Sequence, residues 1–187
     1  MKVIAGLGNP GGEYDNTRHN VGWWVLDRLA YDWGFGSFEK EGKSLRVEGA
    51  VGGISALLLK PTTFMNRSGS ALGGLKALSE FDVTSDLLVV VDDAALDPGR
   101  VRFRRGGGSG GHKGLRSVSA SLATESYARL RVGVGQAPRE ENLSDWVLSP
   151  MGDVDQDLVD ELLPELSGAV EVWMRDGIEE VMNQFNR

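Results

Sequence analysis

The chain has no cysteine and only two histidines, and these two scarcities remove much of the chemistry open to its 187 residues. Without cysteine there is no disulfide framework, no thiolate nucleophile and no cysteine-ligated zinc, and two imidazoles are too few for a histidine-rich metal centre. No metal is therefore expected. Long apolar runs are also missing: no eighteen-residue stretch could span a bilayer. Met1-Lys2 leads straight into Val3-Ile4-Ala5 without a signal-peptide profile. A soluble, cytoplasmic protein with no membrane partner is expected. Basic residues are outnumbered, and a net charge of −7, taken whole, argues against a nucleic-acid partner.

That average hides an uneven distribution. Residues 1–97 sum to −4 and residues 132–187 to −10, whereas residues 98–131 carry eight Lys/Arg against one Asp/Glu. A segment this basic in an acidic chain reads as a local anion-binding surface, the alternative being a solvated charged face. With 41% hydrophobic and 25% charged residues, the composition suits one globular domain over 1–187, large enough for a real core.

Periodicity gives a coarse map. Lys2 to Gly6 reads as a buried strand and Val21 to Trp33 as a helix. Ser44 to Glu48 and Ile54 to Lys60 read as strands around a Gly52-Gly53 turn, and Ser68 to Phe81 as a helix rich in small residues. Asp86 to Val91 is a strongly apolar strand leading to Asp92-Asp93. Arg100, Arg102 and Arg104 alternate with Val101 and Phe103, so a strand here puts the arginines on one face. Gly106 to Gly111 reads as a flexible loop, Leu115 to Ala123 as a helix and Arg129 to Gly135 as a strand. From Asp153 the pattern is helical and acidic, with a kink expected at Pro164 and the last helices expected to cover one edge. The alternation predicts a single-domain, three-layer α/β/α sandwich with a mixed, mostly parallel central sheet and C-terminal covering helices.

The sharpest motif is Gly6-Leu7-Gly8-Asn9-Pro10-Gly11 followed by Thr17-Arg18-His19-Asn20. It formally matches the dinucleotide fingerprint, but Pro10-Gly11-Gly12 prolongs a loop where a helix should start, and no acidic strand end follows at the required distance. What remains is a loop at a strand's C-terminal end, where open α/β sheets place ligand sites, offering Asn9 and His19. Histidine exchanges protons near neutral pH, so His19 and His112 are the general-base candidates, and Asp92 at a second strand end could orient an imidazole. Simple capping is the competing role for His19 and for Asn66.

Taken together, Val3 to Gly11, Glu13-Tyr14, Thr17 to Gly22, Lys60 to Asn66, Ser68-Gly69, Asp92-Asp93, the glycines ending in His112, and Arg129 to Gly135 resemble bacterial-type peptidyl-tRNA hydrolases. The resemblance implies hydrolysis of the ester joining a peptide to the terminal ribose of tRNA, which recycles tRNA from stalled translation, by a monomer without cofactor. It further implies that His19 is the base for a water, Asp92 orients and charges it, and Asn9 and Asn66 place the peptide and the attacking group. Met65 and Phe64 would line the site, with His112 and Lys113 as further substrate contacts and Tyr14 beside the terminal nucleotide. Arg104 and Arg131, with Arg102 on the same basic face, would clamp a tRNA phosphate. Asparagine amides donate and accept, so paired asparagines suit a main chain of any sequence, while shape and phosphate contacts would select tRNA.

Two departures from the family pattern stand out: Lys113 where asparagine is usual, and Ala94-Ala95 where a further acidic residue is usual. The rival reading from another class is a noncatalytic RNA-binding, splicing-factor-like protein on the same scaffold.

Overall fold

The computed structural model describes residues 1–186, so Arg187, the last residue of the expected domain, lies outside the described residues. A single seven-stranded sheet organises the chain, in the order β2-β3-β4-β1-β5-β7-β6. The strands are β1 (Lys2–Gly6), β2 (Glu39–Glu41), β3 (Ser44–Val51), β4 (Ile54–Pro61), β5 (Leu87–Asp93), β6 (Val101–Arg104) and β7 (Ala128–Gly133). β1, β4, β5 and β7 are mutually parallel. β3 and β6 run against their neighbours, and β2 is antiparallel to β3, so five of the seven strands share one direction. The sheet is mixed and mostly parallel, as the alternating pattern predicted.

Two hydrophobic layers cover the two faces. Ile4, Leu58, Leu88 and Val90 pack with α1 (Val21–Asp32) and α6 (Asp153–Asp176). Val3, Ala5, Leu57, Leu87, Val89 and Val91 pack with α2 (Gly69–Leu72) and α4 (Lys113–Leu122). Near-continuous apolar runs such as Leu87 to Val91 are what a strand covered on both sides requires. Three short or terminal helices complete the fold: α3 (Val83–Asp86), α5 (Leu143–Val147) and α7 (Ile178–Phe185).

Several expectations need correction. The helix expected over Ser68 to Phe81 is broken into α2 and a 3₁₀ turn over Gly73–Ala77, because Gly73-Gly74 weakens the helix where it should propagate. Gly69 serves close packing instead: a Cβ there would stand 2.1 Å from the Ser117 carbonyl oxygen. The helix α6 is continuous through Pro164, where a kink was expected. Of the C-terminal helices, α6 lies on a sheet face beside α1, and α7 packs against β6 at the edge. There the Asn186 amide donates to the Phe103 carbonyl at 2.9 Å and accepts its N–H at 2.7 Å, occupying backbone groups that an edge strand leaves unpaired. The β3–β4 turn is at Gly52-Gly53, both with positive φ, the geometry of a two-residue hairpin.

Candidate active site

The site forms where the C-terminal ends of β1, β4 and β5 open into loops. From β1 the chain passes through Asn9 into a 3₁₀ turn, Arg18–Asn20, immediately before α1. Three residues per turn send three consecutive side chains in three directions. Asn20 reaches back to the Asn9 backbone, accepting its N–H at 2.9 Å and donating to its carbonyl at 3.0 Å. His19 points to Asp92, with Nδ1 2.8 Å from Oδ1. Arg18 turns the other way. One of its terminal nitrogens donates to the carbonyls of Trp146, Ser149 and Pro150 and to the Ser149 hydroxyl, and the guanidinium stacks 3.3 Å from the Trp146 ring centroid.

Asp92 is 3% exposed and receives both histidines of the chain on a single oxygen, because His112 Nε2 also lies 2.8 Å from Oδ1. The hydrogen bonds assign the protons. His112 Nδ1 is the N-cap acceptor of α4, taking the N–H groups of Gly114 at 3.1 Å and Leu115 at 3.3 Å, so its proton is on Nε2 and is donated to Asp92. An ionised Asp92 only accepts, so His19 donates from Nδ1 and its Nε2 lone pair is left free. Burial pushes the Asp92 carboxyl up, but the two facing imidazoles and their hydrogen bonds outweigh it and hold the group well below the usual carboxylate range. The ring centres of His19 and His112 are 5.1 Å apart.

Both ring nitrogens of His112 are thus committed within the protein. Its ring also borders the cleft. His19, Asp92 and His112 also offer ligand atoms within 4.8 Å of one another. A metal would need the Nε2 lone pair of His112, moving its proton to Nδ1 and forfeiting both cap hydrogen bonds, so the arrangement fits a carboxylate that orients two imidazoles better than a metal centre.

Two cavities flank His19. One, about 230 Å³, is lined by Asn9, Tyr14, Phe64, Met65, Asn66 and Lys113 together with Ser144, Val147 and Leu148. The other, about 200 Å³, is bordered by Asp92, Asp93, Ala94, Ala95, the Gly110-Gly111 turn, His112, Lys113 and Arg131. Asn9 Oδ1 accepts the Met65 N–H at 2.7 Å, which fixes the orientation of the amide and leaves its NH₂ and a second lone pair on the oxygen. Asn66 is exposed within the 3₁₀ turn Met65–Arg67 and is not its cap, a position that Phe64 holds. Tyr14 and Phe64 meet edge to face, centroids 6.5 Å apart. A larger cavity of about 430 Å³ beside β6 and α6 contains neither histidine.

The basic face forms as the alternation predicted for Arg102 and Arg104, whereas Arg100, expected on the same face, lies before the start of β6. Val101 and Phe103 are buried, Arg102 and Arg104 exposed, and the register pairs Arg102 with Arg131 and Arg104 with Arg129, so all four arginines share a face. They are not equivalent. Arg129 is fully buried, holding the glycine loop through the Gly108 carbonyl at 2.8 Å and the Glu125 carbonyl at 3.0 Å. Arg131 is 3.5 Å from Asp93 and also reaches Gly108. The loop expected to be flexible is therefore tied at its middle.

The roles of Arg18, Asn20 and Arg129 were missed from the sequence. Arg18 and Asn20 flank His19 in its motif, yet what they hold appears only when residues 146–150 and Asn9 are brought beside them.

The family model described as Peptidyl-tRNA hydrolase matches residues 3–187. Among curated proteins, the peptidyl-tRNA hydrolase of Gemmatimonas aurantiaca is 42% identical with all of both chains covered, and that of Rhodococcus opacus is 40% identical over 98% of this chain and 97% of its own. The crystal structure of peptidyl-tRNA hydrolase from Acinetobacter baumannii superposes with a TM-score of 0.92 at 32% identity, covering all of this chain and 94% of that one.

Proposed function

Since this chain belongs to the peptidyl-tRNA hydrolase family, we propose that its hydrolysis of peptidyl-tRNA runs through His19 as general base, with the shared Asp92 carboxylate as the carrying observation. The noncatalytic RNA-binding reading is not supported by the relatives, which are named as hydrolases.

His19 Nε2 takes a proton from a water in the cleft, and the hydroxide equivalent attacks the acyl carbon of the ester. Asp92 holds the ring in the tautomer that leaves Nε2 basic and stabilises the imidazolium once the proton arrives. That proton then goes to the departing ribose oxygen, and the products are a peptide with a free carboxyl group and tRNA with an intact terminal ribose. An activated ester asks little more, and proton transfer of this kind contributes roughly 10²–10⁴-fold. His112 acts through Asp92 as a positioning residue.

The Asn9 amide donates into the larger of the two flanking cavities and Asn66 faces the same space, arrangements suited to peptide carbonyls. Met65, Phe64 and Tyr14 supply its apolar wall, with Tyr14 next to the terminal nucleotide. Arg102, Arg104 and Arg131 meet tRNA phosphates, while the acidic remainder of the chain limits nonspecific RNA binding. The protein works as a cytoplasmic monomer, without cofactor or metal. The test is incubation with an N-acetylated aminoacyl-tRNA beside the same aminoacyl-tRNA with a free α-amine. Release of tRNA from the blocked substrate alone is expected; no release from either would refute the proposal.

A further inference from the structure

His19, Lys113, Ser144 and Val147 line both cavities of the cleft, so Lys113 stands at the junction where the two meet beside the base. Its charge is the one left open there. Asp92 is buried behind two imidazoles, and Asp93 is engaged by Arg131 at 3.5 Å and by the Ala95 N–H at 2.8 Å. The exposed Lys113 ammonium, by contrast, makes no hydrogen bond or ion pair among the described residues. The same cavity wall presents the methyl groups of Ala94 and Ala95 and no further carboxylate. The backbone N–H groups of Gly114 and Leu115 at the start of α4 are already taken by His112, so the cation itself, rather than the helix end, is the free electrostatic feature.

What lies at this junction follows from the reaction. With the ester carbon beside His19 Nε2, the next atom on the acyl side is the α-carbon of the last amino acid. The side chain of that residue therefore lies within reach of the two cavities that Lys113 borders. Phosphates further along the RNA have the arginine face of β6 and β7 available.

We propose that Lys113 makes the cavity of about 200 Å³ a subsite for a carboxylate on the esterified amino acid, so that the chain favours peptidyl-tRNA ending in aspartate or glutamate over the neutral isosteres. The inference rests on His19 being the base and adds a substrate preference to it.

The experiment uses N-acetyl-glutamyl-tRNA and N-acetyl-glutaminyl-tRNA built on one tRNA body, so that the RNA is constant and the substrates differ only in charge. kcat/KM is measured for the native chain, K113Q and K113R. The native glutamate-to-glutamine ratio is expected at about two- to five-fold, the range of a partly exposed ion pair, and should shrink with added salt. In K113Q the ratio falls to one, and in K113R it returns. A native ratio of one, or a ratio that K113Q leaves unchanged, overturns the proposal. An equal loss on both substrates in K113Q does so too, because it puts the cation at a phosphate or at the ester oxygen. Failure of the native chain to release tRNA from either substrate would instead overturn the hydrolytic site itself, and this preference with it.

Discussion

Replacing His112 separates two jobs that one ring performs. Its Nδ1 caps α4 by accepting the Gly114 and Leu115 N–H groups, and its Nε2–H donates to the buried Asp92. Loss of an N-cap costs about 1 kcal/mol. Loss of a hydrogen bond to a charged group costs about 1.5–3 kcal/mol, here with the carboxylate left under-satisfied in the interior. His112→Ala forfeits both, so a loss of about 2.5–4 kcal/mol is expected. His112→Asn keeps a good cap residue but cannot span from the cap to Asp92 with one short amide, and should recover only about 1 kcal/mol of that loss. Urea unfolding followed by far-UV circular dichroism reads the difference, provided the m-values of the variants agree. Turnover should not follow stability: both variants lose the Asp92 contact, so their kcat/KM values fall together. An asparagine variant as stable as the native chain, or one whose turnover is restored while that of alanine is not, would refute the division.

Asp92→Asn should reduce kcat by at least about 10²-fold, because an amide oxygen can still accept from both imidazoles but carries no negative charge to stabilise the His19 imidazolium; near-native kcat would contradict this. Because the folded Asp92 carboxyl is held below its unfolded value, its contribution to stability is present above the unfolded pKa and is lost as pH falls through the folded one. Acid titration of stability should accordingly show a smaller loss below about pH 4 in Asp92→Asn than in the native chain. Arg18→Met takes the guanidinium donor from the Pro150 carbonyl, removes one of several donors from those of Trp146 and Ser149, and frees the wall that carries Ser144, Val147 and Leu148. Stability should drop by about 1.5–3 kcal/mol and KM should rise more than kcat falls, with Arg18→Lys intermediate; steady-state kinetics showing only a kcat defect would argue against the wall. Arg104→Ala should weaken tRNA binding and flatten its log–log salt dependence by roughly 0.7–0.9, and an unchanged slope would make the residue a bystander.

Much of this architecture is legible in the residues, and the boundary of legibility has physical causes. Strands such as Leu87 to Asp93 announce themselves because burial on both faces demands an unbroken apolar run, and the arginine face of β6 follows from period-two alternation alone. The start of α4 is less visible, since histidine is not among the usual caps, and its capping depends on a ring also anchored by Asp92 from another strand. The broken segment after Ser68 hid because small residues satisfy a helical pattern while Gly69 is there to let two backbones approach. Asn9, His19 and Asp92 were readable from the strand ends that carry them, and Asn66 joined them only through the resemblance to a family. The convergence of both histidines on one oxygen, and the grip of Arg18 on residues more than a hundred positions away, exist only in the folded chain.

The account stands on the free nitrogen of His19, and His19→Ala tests it most directly when hydrolysis of an N-acetylated aminoacyl-tRNA and equilibrium binding of uncharged tRNA are measured on the same preparation. The expected result is a fall in turnover of at least about 10²-fold with tRNA affinity unchanged, because the arginine face lies on other strands. Turnover within a few-fold of native in a variant that still binds tRNA would contradict the assignment of the base.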